Sequence, residues 1–393
     1  MKCMPLAVAA LLVLAGPEAF AQAKPDALDK AFDDMEKQLE KSMGKLERDL
    51  DAYFKKIEAD LEKTFAEFES ELDRTWGQGK RISTPKVWVG YSDRLDTRFT
   101  VDYDTGEVSI ETTKTDMTAA QLRSELDRLI NSNSDELDEH DQIAKQMKRK
   151  TKAAGLDEPP VRPQDRRRNE IGQIVDPNVQ PRVDTVPVVG PQGQRIEVKR
   201  ITVPFNADAA KLNAERLRQP VEAYADNYKL PRALVLSIIK NESSFNPRAQ
   251  SAVPAFGLMQ LVPSSGGADA YTFVLGGKKS MPTPDYLFRP VENVELGAAY
   301  LHLLHYRYLD GIRDPASRLY CVIAAYNTGA GNVARAFTGR NNVDAAEAAI
   351  NRMTSDQVYQ TLVAKLPHDE TRVYLAKVRR DMELFREWDA RRG

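Results

Sequence analysis

Glu242 stands where a carboxyl group could act as a general acid. Pro231 and the apolar positions between 234 and 239 predict a helix, and Asn246-Pro247 requires that helix to end soon after Glu242. A carboxylate in the last turn faces the negative end of the helix dipole, and burial there would raise its pKa toward the range that a general acid needs. Because many glutamates at helix ends are simply solvated, these grounds alone leave a solvated Glu242 as the alternative.

Other groups that often carry chemistry are scarce. The chain has two cysteines, Cys3 and Cys321, and four histidines, which excludes a disulfide scaffold and a cysteine-rich zinc module. Cys321 lies in an apolar run that favours a buried position. His302 and His305 are three residues apart on a predicted helix, but no third ligand is close in sequence, which favours packing or surface roles over a metal site.

Three short segments of unusual composition follow Glu242 in a fixed order. The first has the sequence ESSFNPRAQS at 242–251 and continues as GLMQ at 257–260. The second is AYNTGAG at 325–331, and the third is ETRVY at 370–374. Together with the helical pattern at 293–304, these segments resemble the signature of the lytic transglycosylases of the soluble lytic type.

The resemblance implies a lysozyme-like, mostly helical domain that cleaves the bond from N-acetylmuramic acid to N-acetylglucosamine in peptidoglycan and leaves a 1,6-anhydromuramoyl end. Glycosidases usually use two carboxyl groups, whereas this signature offers only Glu242. One group suffices if it first protonates the leaving oxygen and then, as a base, takes the proton of the muramic 6-hydroxyl. The resemblance implies no metal and no organic cofactor.

Two alternatives to this function remain at the level of sequence. A goose-type, lysozyme-like hydrolase would use the same fold but would transfer the sugar to water. A binding protein without catalytic activity would only hold glycan strands or recruit a partner, and the presence of Glu242 argues against it.

The resemblance also implies supporting residues near the carboxyl group or along the sugar cleft, namely Ser251, Met259, Gln260, Tyr326, Asn327 and Tyr374. The Ser251 hydroxyl could bond to Glu242 or to a sugar, with an ordinary turn serine as the alternative. Gln260 could use both ends of its amide on acetamido groups. Tyr326 could orient Glu242, although a buried aromatic ring with a satisfied hydroxyl is a fair rival.

Residues 1–21 read as a secretory signal peptide with a positive start, an apolar run at 6–15 and cleavage near Ala21. The apolar run covers about half of the ~20 residues that span a membrane. Leu-Ala-Gly at 14–16 would begin a bacterial lipoprotein signal, but Pro17 stands where the acylated cysteine belongs. The sequence therefore predicts an exported, periplasmic protein without a lipid anchor.

Residues 22–79 predict a long, charged amphipathic helix. Apolar residues recur from 28 to 76 at a mean spacing of about 3.7, nearer to a straight helix than to the 3.5 of a left-handed supercoil. Its polar face is mainly acidic, which disfavours contact with anionic lipid. Packing against the downstream domain of the same chain is favoured, and binding of a protein partner or self-association is the alternative.

The rest of the chain divides into two predicted domains. Alternating apolar residues predict a strand and two hairpins within 80–206, with helices between them and a Pro- and Arg-rich connection near 155–170. From 207 to 393 only helical periodicity continues. The predicted fold class is therefore α+β, with a long N-terminal helix and an α+β accessory domain followed by a mostly α-helical domain. The resemblance implies that this last domain is lysozyme-like and catalytic.

Length and charge narrow the possible functions. A chain of 393 residues is long enough for two or three domains. Its 56 basic and 58 acidic side chains give a net charge of −2, so the whole molecule has no general attraction to nucleic acid. The ligand implied by the resemblance is the glycan strand of peptidoglycan.

Overall fold

A computed structural model of the protein describes residues 62–153, 171–251, 255–277 and 280–390, together with isolated positions between 37 and 60. Residues 58–393 form one compact unit, and residues 1–57 form another. The predicted signal peptide and the Pro- and Arg-rich connection lie outside the described residues. Among the residues that are described, no helix is both long and apolar enough to cross a membrane.

A five-stranded antiparallel sheet forms the centre of the accessory region, in the order β1-β2-β3-β5-β4. Its strands are β1 (Val87–Tyr91), β2 (Thr97–Asp102), β3 (Glu107–Thr112), β4 (Arg182–Val189) and β5 (Arg195–Pro204). Both predicted hairpins are present, one joining β2 to β3 and the other joining β4 to β5.

Helices cover both faces of the sheet, since successive side chains of a strand point to opposite faces and five consecutive residues of β2 are buried. The surrounding helices are α1 (62–76), α2 (Ala119–Asn131), α3 (Ser134–Asp138) and α4 (Gln142–Ala153). Phe99 and Ile110 project from one face into a core that includes Leu122 and Leu126 of α2. On the other face, Tyr91 makes edge contacts with aromatic residues of α1.

An ion pair lies fully buried on the α1 side of the sheet. The Arg98 Nε donates to Glu111 Oε2 at 2.9 Å, and both side chains are almost inaccessible to solvent. The same guanidinium donates to the Gly79 carbonyl at 2.7 Å and lies over the ring of Trp76 at 4.4 Å. This pair therefore fastens the end of α1 to the sheet.

The remainder of the compact unit is helical, as the sequence predicts. Its helices are α5 (Ala209–Arg216), α6 (Arg218–Asn227), α7 (Arg232–Ser243), α8 (Gly266–Val274), α9 (Pro284–Leu287), α10 (Pro290–Leu303), α11 (Pro315–Thr328), α12 (Ala330–Thr338), α13 (Val343–Ile350), α14 (Ser355–Lys365), α15 (Asp369–Leu384) and α16 (Arg386–Ala390). Helices α7 and α11 both pack against α15. A sheet region and a helical region in one chain confirm the predicted α+β class.

The loop after α7 joins the helical region to the accessory region. Asn246 is fully buried, and its Nδ2 donates to the Pro85 carbonyl at 3.1 Å. The guanidinium of Arg248 bonds to the Asp138 carboxylate and donates to the Ser134 carbonyl at 2.8 Å. Two residues of the first signature segment thus hold the accessory region in place.

Candidate active site

The end of α7 presents Glu242 at the centre of the candidate site. The helix stops at Ser243 because Ser244 and Phe245 adopt left-handed backbone conformations, with φ of 51° and 68°. Such angles are uncommon outside glycine and persist only where the surrounding structure enforces them. Ser244 still donates to the Lys240 carbonyl at 3.0 Å, so the reversal keeps Glu242 in the last helical turn, as the sequence predicts.

The surroundings of Glu242 hold the pKa of its carboxyl group near neutral pH. Burial raises its pKa from 4.5 to about 7, a hydrogen-bonding interaction with Tyr374 and the charge of Lys86 oppose that rise, and the charge of Glu370 adds to it. Glu242 is half-buried, and no described lysine or arginine forms an ion pair with it. Glu242 can therefore both give and take a proton near pH 7.

Two tyrosines flank this carboxyl group. The Tyr326 hydroxyl donates to the Met259 carbonyl at 2.7 Å, rather than to Glu242. The Tyr374 hydroxyl is buried, and it interacts with Glu242. Burial and the neighbouring charge of Glu242 raise the pKa of both phenols well above the ordinary value, so both remain protonated donors.

Asn293 fixes the loop that carries the second half of the first signature segment. Its Oδ1 accepts from the Met259 N–H at 2.8 Å, and its Nδ2 donates to the carbonyls of Phe256 and Leu287 at 2.9 and 2.8 Å. Gly257 lies in this turn with φ of 76°, and a Cβ atom there would lie 2.1 Å from the Leu287 carbonyl oxygen. Sequence reasoning placed Asn293 in the matching helical segment but assigned it no role.

Met259 and Gln260 occupy this loop in different ways. The Met259 side chain is fully buried, and a Cβ on Gly297 of α10 would lie 2.2 Å from its sulfur atom. Met259 therefore contributes its backbone carbonyl, the acceptor for Tyr326, to the site. Gln260 has a left-handed φ of 47° and donates through Nε2 to the Gly257 carbonyl at 3.1 Å.

Ser243 is a second residue that sequence reasoning missed. Its Oγ bonds to the Leu258 carbonyl at 2.8 Å and to the Ile239 carbonyl at 3.0 Å. The hydroxyl thereby ties the last turn of α7 to the loop that contains Met259. A serine directly beside a candidate catalytic glutamate was the available signal.

Ser251 and Asn327 make their described contacts away from Glu242. The N–H of Ser251 donates to the Ala255 carbonyl at 3.2 Å, and its Oγ accepts from the Ala255 N–H at 3.3 Å. The Oδ1 of Asn327 accepts from the Thr371 hydroxyl at 2.6 Å, which joins α11 to α15. Of the predicted site residues, the structure thus gathers Tyr326, Tyr374 and the Met259 backbone around Glu242.

The two histidines on α10 and the following turn take packing positions. His302 Nδ1 lies 3.0 Å from the Tyr228 carbonyl, and its ring stacks on Phe273 with centroids 5.5 Å apart. Burial lowers the pKa of His305. The described residues contain no cluster of three or more potential metal ligands.

Comparison with known proteins decides the family. The model of the transglycosylase SLT domain matches residues 219–349, and that of the N-terminal domain of membrane-bound lytic murein transglycosylase C matches residues 54–151. Membrane-bound lytic murein transglycosylase C of Serratia proteamaculans is 33% identical over 319 residues, 79% of this chain and 86% of its own length. The chain belongs to the membrane-bound lytic murein transglycosylase C family. The SLT match contains the first two of the three signature segments, and the family is one of enzymes.

Two further relatives have the same name as the Serratia protein. The proteins of that name from Pectobacterium atrosepticum and Yersinia enterocolitica are 33% and 34% identical, and each match covers 78% of this chain and 84% of the relative. Among solved structures, the 70 kDa soluble lytic transglycosylase of Escherichia coli is 24% identical with a TM-score of 0.33. That match covers 43% of this chain and about a quarter, 24%, of the Escherichia coli chain.

Proposed function

We propose that this protein is a peptidoglycan lytic transglycosylase that cleaves the β-1,4 bond from N-acetylmuramic acid to N-acetylglucosamine and forms 1,6-anhydromuramic ends. Membership of the transglycosylase family supports the substrate class. The observation that carries the mechanism is Glu242, a carboxyl group without an ion-pair partner among the described residues and with its pKa raised to about 7. It is the right group for proton transfer in both directions.

The reaction needs one bond to break and one to form, with no net gain of protons. Protonated Glu242 gives its proton to the glycosidic oxygen as the bond from that oxygen to the muramic anomeric carbon breaks. The resulting Glu242 carboxylate then takes the proton of the muramic 6-hydroxyl, while the oxygen of that hydroxyl bonds to the anomeric carbon. Glu242 returns to its starting state, and Tyr374 is positioned to stabilise the carboxylate between the two steps.

The other proposed site residues act around this carboxyl group. Tyr326 holds the Met259 carbonyl and so shapes the wall of the cleft. The remaining members, Ser251, Gln260 and Asn327, belong to the sugar-binding surface under this proposal. No step requires a metal or an organic cofactor.

A hydrolase is the second candidate, and one observation favours it. Glu370 lies one turn before Tyr374 on α15, and its charge acts on Glu242. A second carboxyl group near the acid could activate water, as in an inverting glycosidase. The glycan would then gain a hydrated reducing end instead of an anhydro end.

The proposed organisation follows from the same reading. A catalytic domain at 207–393 contains the SLT match, while the 54–151 match overlaps the predicted helix at 22–79 and the accessory domain at 80–206. We place the protein in the cell envelope, in the periplasm after removal of residues 1–21, because its substrate lies there. The relatives are named as membrane-bound enzymes. A protein partner or self-association through the helix at 22–79 stays a prediction.

Product analysis tests this function directly. The protein is incubated with purified sacculi, and the soluble products are separated and weighed by mass spectrometry. Muropeptides with anhydro ends are expected, each lighter by one water than the corresponding hydrolytic product. If every product carries a hydrated reducing end, the protein is a hydrolase and not a transglycosylase. If no soluble product appears, the protein only binds glycan strands.

A further inference from the structure

A cavity of about 300 Å³ lies between the accessory region and the helical region of the compact unit. Lys86, Tyr103 and Phe205 line it from the accessory side, whereas Phe245, Lys377 and Arg380 line it from the helical side. Its volume is at the lower end of the ~300–1,000 Å³ typical of small-ligand pockets. The cavity therefore has room for part of a substrate rather than for a water molecule alone.

Positive charge predominates in this cavity. Four cationic and two acidic side chains line it. Asp381 is shared between Lys240 at 2.8 Å and Arg380 at 3.0 Å, and Asp104 lies 3.4 Å from Lys86. Lys377 is exposed and has no acidic partner among the described residues. The lining thus suits a ligand that carries carboxylates and some apolar surface.

The cavity is adjacent to the catalytic carboxyl group. Ser244, two residues after Glu242, lines it, and the charge of Lys86 lowers the pKa of Glu242. The bond from Asn246 to the Pro85 carbonyl fixes the residue before Lys86 against the loop that follows α7. Residues on both sides of Glu242, Asn241 and Ser244, therefore belong to the lining of this cavity.

We propose that the cavity binds the acidic peptide stem that muramic acid residues carry in peptidoglycan. This proposal rests on the proposed function and adds a second recognition element to it. The sugars of a stem-bearing strand are neutral, so the negative charge of the substrate lies in the carboxylates of the peptide. Lys377 binds one of those carboxylates, and the three aromatic rings contact the apolar parts of the stem.

The preference for stem-bearing strands measures this recognition. Soluble glycan strands are compared before and after an amidase has removed their stems, and kcat/KM is determined for both. We expect Lys377→Glu to lower the ratio of stem-bearing to stripped activity about tenfold and Lys377→Gln about threefold, since a lone exposed charge contributes roughly 0.2–1 kcal/mol and its reversal more. Lys365→Gln, which removes an exposed lysine of α14 outside the cavity, is the control and keeps the wild-type ratio.

Direct binding separates this proposal from the proposed function. Free acidic stem peptide, which contains no glycosidic bond, is titrated into the wild-type chain, the Lys377→Glu variant and the Lys365→Gln control by calorimetry. Weaker binding to Lys377→Glu alone supports the cavity, even if product analysis shows hydrolysis. Anhydro products together with an unchanged ratio and unchanged peptide binding in Lys377→Glu overturn the cavity while leaving the transglycosylase intact. An equal loss of kcat/KM in Lys377→Glu on stem-bearing and on stripped strands also overturns the proposal, because stripped strands keep the lactyl carboxylate but have no stem.

Discussion

Two glutamates of low solvent exposure differ in their charged partners in the two regions of this protein. In the accessory sheet, Glu111 is 2% exposed and receives two hydrogen bonds from the equally buried guanidinium of Arg98. In the helical region, Glu242 faces two tyrosines and has no ion-pair partner among the described residues. A buried charge with a bonded counter-charge is a structural element, whereas one without it is poised for proton transfer.

The largest effect is expected from a substitution of Glu242, the proposed catalytic residue of this comparison. Glu242→Gln keeps the size and shape of the side chain but removes the proton transfer, which typically contributes about 10²–10⁴-fold for one general acid or base. Because Glu242 would serve in both steps, we expect a loss of roughly 10³-fold or more in kcat. The measurement is release of soluble products from sacculi, and residual turnover within tenfold of wild type would assign the acid elsewhere.

The same variant has a signature in stability. A carboxyl group whose pKa rises from 4.5 to about 7 on folding binds its proton more tightly in the folded state, so it destabilises the fold as the pH rises from 4.5 to about 7. Glu242→Gln lacks this effect. Urea denaturation should therefore show that the stability of Glu242→Gln relative to wild type is greater at pH 8 than at pH 4.

Breaking the ion pair of Glu111 with Arg98 should lower the stability of the fold and leave the catalytic activity unchanged. Arg98→Met removes one partner of a buried ion pair and leaves Glu111 as an uncompensated buried charge, which costs about 3–5 kcal/mol. Unfolding in urea measures the loss, and kcat per folded molecule should stay near the wild-type value. The double variant Arg98→Met with Glu111→Leu should recover most of the lost stability. A small loss in the single variant would mean that the pair is not a structural fastening.

A substitution at the contact between the accessory and helical regions is expected to have an intermediate effect on stability. Asn246→Ala removes a fully buried amide and leaves the Pro85 carbonyl without its donor, at a cost of about 1–3 kcal/mol. Asn131→Ala is a matched control because its amide donates to the Asp127 carbonyl on an exposed helix, where the change should stay within about 0.5 kcal/mol. Equal effects of the two substitutions in thermal unfolding would argue against a tight junction at Asn246.

The smallest effect is expected from a substitution of Tyr374, whose interaction with Glu242 lowers the pKa of that carboxyl group. The acid step requires protonated Glu242, so kcat/KM of the wild type should fall as the pH rises through about 7. Tyr374→Phe removes the interaction that lowers this pKa, which should move the fall to higher pH and reduce kcat roughly tenfold. Tyr359→Phe, on α14 with its ring packed on Tyr320, serves as the control. An unmoved pH profile would assign Tyr374 to packing.

Much of the fold follows from local pattern. The alternation around Phe99, Val101, Val108 and Ile110 predicted a hairpin because one sheet face must be buried, and β2 and β3 have that register. The end of α7 was predicted from Asn246-Pro247, since proline cannot continue a helix. Such signals act over a few residues and need no knowledge of distant parts of the chain.

The candidate site was only partly predictable. Motif resemblance named Glu242, Tyr326 and Tyr374, but it suggested that Tyr326 orients the carboxyl group, and the structure gives that hydroxyl to the Met259 carbonyl. Asn293 carried no obvious signal, because one amide can serve three backbone groups only once the loop and two helices have been brought together.

The order of residues along the chain was enough to establish the helical and strand patterns, the candidate acid and the family resemblance, since each depends on side chains that are neighbours in sequence. The pKa of Glu242, in contrast, is decided only by the tertiary structure. Its pKa depends on burial, on Tyr374 more than a hundred residues later and on Lys86 more than a hundred residues earlier. Desolvation and charge act through space, so these contributions exist only when α7, α15 and the accessory region meet.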